Sequence, residues 1–83
     1  MPPSARQPWL EPEQLKAWRL QLSLSQAQAA SLIGISHRHY NYLELGHTPV
    51  SKMIAMSCIL IKELAKQFPQ YSELSQKLDE LIK

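Results

Sequence analysis

The stretch SQAQAASLIGISHRHYNYLELG, Ser25 to Gly46, decides how the chain folds. Ser25 offers an N-cap hydroxyl with Gln28 as its capping-box partner, so a helix is expected over 25–33. Gly34 can take the left-handed conformation that ends it. Ser36 caps a second helix over 36–45, and Gly46 stops that one in the same way. Only Gly34, Ile35 and Ser36 separate the two. So short a connection makes a helix-turn-helix corner whose second helix projects from the body.

On a wheel of about 100° per residue, Tyr40, Leu43 and Glu44 share one side of the second helix. Arg38, Asn41, Tyr42 and Leu45 share the other, with His37 and His39 at its leading end. A guanidinium, an amide and a phenol on an outward face can donate to phosphates or read base edges. Ala29 and Ala30 are small where the first helix must pass close to the second. Ile33 and Ile35 close the apolar side of the corner.

Outward from this corner, the chain divides into three parts. Residues 1–10 hold three of the six prolines and are expected to form a flexible arm. Residues 11–67 form the body. Pro12 opens a helix over 12–22 carrying Leu15, Trp18 and Leu22, and a strongly apolar helix covers 50–67. Residues 68–83 form a C-terminal segment in which Pro69 breaks the chain and Ser72 starts a last amphipathic helix. With two glycines in 83 residues and a helix-favouring composition, the expected fold is all-α with five helices.

Composition excludes several functions. The apolar fraction is 45% and the charged fraction 19%, as in ordinary soluble domains. No apolar run reaches the roughly 18 residues of a membrane span. The start, MPPSARQP, lacks a signal peptide's apolar core, and the lone Cys58 excludes an internal disulfide. A cytoplasmic protein is expected. The net charge of +2 is a weak hint of a polyanionic partner. His37 and His39 diverge by about 200° on a helix, and His47 and Cys58 add too little for a metal site, so no metal or cofactor is expected. No paired-carboxylate, nucleophile–base or glycine-rich phosphate motif points to an enzyme.

Met53, Ile54, Met56, Cys58, Ile59, Leu60 and Ile61 read as a core stripe. With Leu64 they also make the fourth helix apolar over more than one face, more than one small domain covers easily. Met56 and Leu60, together with Tyr71, Leu74, Leu78 and Leu81, could therefore form a self-complementary dimer seam. The alternative, that the last helix seals its own core, stays open. Trp9 and Trp18 read as packing residues, with a partner subunit as a second reading for Trp9.

The spacing Gln26-x3-Ala30-x3-Gly34-Ile35-Ser36-x3-Tyr40-x2-Leu43-Glu44-x-Gly46 resembles the Cro/phage-repressor (Xre-type) helix-turn-helix. The resemblance runs from near Leu15 to about Leu60, more than half the chain. It implies a five-helix repressor-like DNA-binding domain with its third helix in the major groove. His37, Arg38 and Tyr42 match the family's base-reading positions, and Gln26 its phosphate-binding glutamine. Arg19 and Glu44 match a structural ion pair. Ser36, His39, Asn41, His47, Thr48 and Lys52 are further candidates for phosphate contact. The chain departs from the family at Tyr40, where a small branched aliphatic is usual, and at His37 and Tyr42, where glutamine or small residues are frequent.

The expected function is a DNA-binding transcriptional regulator that binds double-stranded DNA as a homodimer on an inverted repeat. Half-sites would lie about 34 Å apart. By resemblance it would be a repressor, autoregulatory and of phage or mobile-element type. The competing reading is a helical interaction module or antitoxin that buries the fourth or last helix on a partner protein.

Overall fold

The computed structural model describes residues 9–82 and contains five helices: α1 (Pro12–Gln21), α2 (Gln26–Ile33), α3 (His37–Leu45), α4 (Lys52–Ala65) and α5 (Tyr71–Ile82). The described residues contain no strand. The corner forms as its punctuation predicts. Ser25 Oγ accepts from Gln28 N while the Gln28 side chain accepts from Ser25 N, a closed capping box. Gly34 turns the chain at φ +92°, and Ser36 Oγ receives His39 N at 3.0 Å. Gly46 ends α3 at φ +80°, a conformation L side chains adopt only at a cost.

The core lies between the corner and the flanking helices. Leu15 and Trp18 of α1, Ala29 and Ala30 of α2, and Tyr40 and Leu43 of α3 meet Cys58 and Ile61 of α4. The two alanines let α2 and α3 approach closely. Tyr40, which departs from the family pattern, is fully buried and is among the largest side chains of the core. Trp18 Nε1 donates to the Cys58 carbonyl at 2.9 Å and ties α1 to α4. Burial pushes the Cys58 thiol up to about 12, so it packs as a neutral hydrophobe.

Three expectations need correction. Leu74 and Leu78, assigned to a dimer seam, are buried in the core of their own chain, where α5 packs on α2 and α4. Their four-residue spacing serves the nearest apolar surface, which is intramolecular. Conversely, Met53, Met56, Ile59 and Leu60 of the α4 stripe are exposed, Met53 by 79%; only Ala55, Cys58 and Ile61 of that helix are buried. A core this small accepts one face of a helix. Last, residues 1–8 of the expected arm lie outside the described residues, but Trp9 and Leu10 are docked. Trp9 N donates to Val50 O at 3.0 Å, and Leu10 packs against the core.

One polar contact sets the pose of α3. Arg19 grips Glu44 through two bonds, Nε to Oε2 at 2.7 Å and Nη2 to Oε1 at 3.2 Å, and Nη1 donates to Leu24 O at 3.1 Å. The two side chains are only 12% and 6% exposed. Burial pushes the Glu44 carboxyl up, but Arg19, the nearby Tyr40 hydroxyl and Gln26 outweigh it, so its pKa lies below the ordinary 4.5. The Tyr40 hydroxyl is itself buried and has no partner at standard hydrogen-bond geometry among the described residues.

Replacing Arg19 by alanine strands a buried carboxylate and should cost about 3 kcal/mol near neutral pH. Glu44 has the lower pKa in the folded state. Its contribution is therefore complete above the ordinary carboxylate value of 4.5 and fades as pH falls through the folded value. Urea denaturation should show the gap between wild type and Arg19→Ala narrowing as pH falls through the carboxylate range. A gap that stays constant with pH would separate the loss from the ion pair.

Candidate nucleic-acid interface

The outer side of α3 carries a continuous row of side chains. Arg38, exposed one residue into the helix, donates from Nε to Tyr42 Oη at 3.0 Å. Its guanidinium carbon lies 5.5 Å from the Tyr42 ring centroid. The Tyr42 and His47 rings follow at 5.7 Å, tilted by 43°. Two features of the sequence create this row. Residues 38 and 42 are four apart and so lie one above the other on a helix. Beyond α3, Gly46 bends the backbone so that His47 N donates to Tyr42 O at 3.0 Å, returning the His47 side chain to the same side.

A second chain of contacts crosses from the core to the leading end of α3. From the Arg19–Glu44 pair, Gln26 Nε2 donates to Glu44 Oε1 at 3.1 Å, and Gln26 Oε1 faces His37 Nε2 at 3.3 Å. His37, the first residue of α3, is exposed. Gln26 thus links a buried carboxylate to an exposed imidazole. Ser36 spends its oxygen on the cap of α3, and its hydroxyl hydrogen is not used by that cap.

The remaining candidates are dispersed. His39 and Asn41 are half-buried on opposite flanks of α3. Thr48 lines a cleft of about 310 Å³ with Leu10, Glu11 and Pro12. The Lys52 ammonium lies 5.5 Å from the Trp9 ring centroid. Thr48 and Lys52 therefore sit at the leading end of α1 rather than on the row itself. Leu45, absent from the expected set, is 57% exposed on the same side of α3 as Arg38. Its sequence signal is the wheel position, seven residues on from Arg38.

This arrangement can do two things chemically. The row offers a charged planar donor, a phenol and an imidazole at the surface of a convex helix, and convex helices fit the major groove of a duplex. The N-terminal turn of α3 is exposed at the positive end of the helix dipole, which favours an anion. No three His, Cys, Asp or Glu side chains converge among the described residues. No helix among them is long and apolar enough to cross a membrane.

Comparison with known proteins agrees with this geometry. A family model described as Helix-turn-helix matches residues 15–68, from the first core leucine of α1 to Phe68, just beyond α4. No curated protein and no solved structure matches the chain. The match covers more than half the sequence and contains both the glycine-bent corner and the Arg19–Glu44 clasp, and on it the chain belongs to the Xre/Cro-type helix-turn-helix family of DNA-binding regulators.

Proposed function

We propose that this regulator is a transcriptional repressor that binds an inverted-repeat operator as a homodimer. The observation that carries the reading is the Arg38–Tyr42–His47 row along the outer side of α3 and just past its end, with the pose of α3 held from beneath by Glu44. In this reading Arg38 makes the bidentate contact to guanine, and Tyr42 and His37 make further base contacts. Leu45 adds an apolar surface suited to a thymine methyl. Gln26, Ser36, His39, Asn41 and His47 set the register on phosphates, with Thr48 and Lys52 reaching the backbone from the side of α1. Occupying a promoter in this way blocks polymerase. The buried free thiol of Cys58 suits a cytoplasmic site of action.

The homodimer is supported by the exposed side of α4. Met53, Met56, Ile59 and Leu60 form an apolar stripe on it, with Leu81 and Ile82 exposed at the end of α5. A two-fold seam must be self-complementary. The same stripe favours a second reading, an interaction module that covers it with a different protein. The salt dependence of duplex binding separates the readings, because only phosphate contacts release counterions.

Arg38→Ala should lose discrimination at one base pair, about 1–3 kcal/mol, whereas Lys52→Ala should weaken all duplexes alike and flatten the salt slope. Unchanged affinity and footprint for Arg38→Ala on a selected operator would remove α3 from the interface. For the dimer, Leu60→Glu should yield monomers in sedimentation that keep the wild-type helix content, because the side chain is half exposed in the single chain. Leu74→Ala should instead lower stability by about 2–5 kcal/mol, the cost of a core cavity, and leave association intact.

A further inference from the structure

We propose that Gln26 fixes His37 in the Nε2–H tautomer and so makes His37 a selector for amino-bearing bases, adenine or cytosine, over guanine. The proposal rests on the reading of α3 as the base-reading helix and assigns to one of its side chains a preference that the residue type alone leaves undecided.

The argument starts at the buried end. An ionised carboxylate only accepts hydrogen bonds. Glu44 is clasped through two bonds by Arg19, so its oxygens are held in place and charged. Gln26 lies 3.1 Å from Glu44 Oε1 and must present its NH2 group there, since its carbonyl would meet the carboxylate lone pairs. That choice settles the amide flip. The carbonyl oxygen is then the atom 3.3 Å from His37 Nε2, and a carbonyl also only accepts. Nε2 therefore carries hydrogen, and in a neutral imidazole the hydrogen-free nitrogen is then Nδ1.

Nδ1 has no hydrogen-bond partner among the described residues, and His37 is exposed at the first position of α3. A ring whose remaining nitrogen only accepts can take a hydrogen from adenine N6 or cytosine N4. It meets lone-pair repulsion from guanine N7 and O6, which only accept. The opposite tautomer would free Nε2 as acceptor and turn Nδ1 into a donor, reversing the preference. A buried ion pair in the scaffold thus decides, through one amide, which base edge an exposed histidine can read.

The test reads the tautomer and the preference separately. Long-range nitrogen–proton spectra of the free protein, labelled with nitrogen-15 and recorded at alkaline pH where imidazoles are neutral, distinguish pyrrole-type from pyridine-type nitrogens. Wild type should show His37 with Nε2 as the pyrrole-type atom. Gln26→Met, which keeps the shape and removes the acceptor, should show averaged shifts at His37 alone. Selection from random duplexes at the same pH should give adenine or cytosine at the position whose preference His37→Ala erases. Gln26→Met should relax the exclusion of guanine there by roughly tenfold.

An Nδ1–H tautomer in wild type overturns the proposal whatever the duplexes show, and so does selection of guanine facing His37. If the tautomer is Nε2–H but no duplex is enriched, the DNA reading fails and takes the base preference with it. The spectra need no DNA, so the two failures are distinguishable.

Discussion

The pose of α3 depends on one contact, the bidentate grip of Arg19 on Glu44. Short helices of eight to ten residues have little stability of their own, and two of them joined by a glycine bend have no intrinsic angle stiff enough to define an interface. Arg19 comes from α1, Glu44 from the last turn of α3, and Gln26 from the first turn of α2. The three side chains bind three helices to a common point that is almost out of water. Ion pairs in such places are costly to desolvate and directional once formed. That direction matters for the proposed DNA contact, in which a small tilt of α3 would move Arg38 out of reach of a base edge.

The apolar core supports the same end by different means. Ala29 and Ala30 permit close approach of α2 and α3, and Tyr40 fills the volume that the approach leaves beneath α3. The departure of Tyr40 from the family pattern is absorbed by packing. The phenol ring takes the place of an aliphatic, and its hydroxyl is brought beside Glu44, where it favours the charged carboxylate. The outer row can then be polar throughout, because nothing on it is needed to hold the fold. Arg38, Tyr42 and His47 order one another instead, which restricts the long arginine side chain.

The apolar surface is unevenly distributed. α5 is amphipathic and surrenders Leu74 and Leu78 to the core, whereas α4 keeps Met53, Met56, Ile59 and Leu60 outside. Both helices have apolar residues at helical spacing, and the periodicity does not distinguish an inward face from an outward one. What distinguishes them is geometry. α4 is already packed on its Ala55–Cys58–Ile61 side, so its second apolar side has no intramolecular surface left to meet. α5 meets α2 and α4 along a single stripe, which two leucines are enough to fill.

Local chemistry alone determined the corner and the outer face of α3. Ser25, Gly34, Ser36 and Gly46 act on their own backbone within four residues, so caps and stops are legible in the order of the letters, and the wheel follows from them. The resemblance to known helix-turn-helix chains added the Arg19–Glu44 pairing, 25 residues apart, which no local rule connects. Only the tertiary structure decided which apolar stripes face inward, that Trp9 and Leu10 dock, and that Lys52 stacks on Trp9. It also decided that the Gln26 amide lies between Glu44 and His37. The physical reason is the same in each case: burial and hydrogen-bond direction depend on what a second element places opposite a side chain, and that is settled when the helices pack.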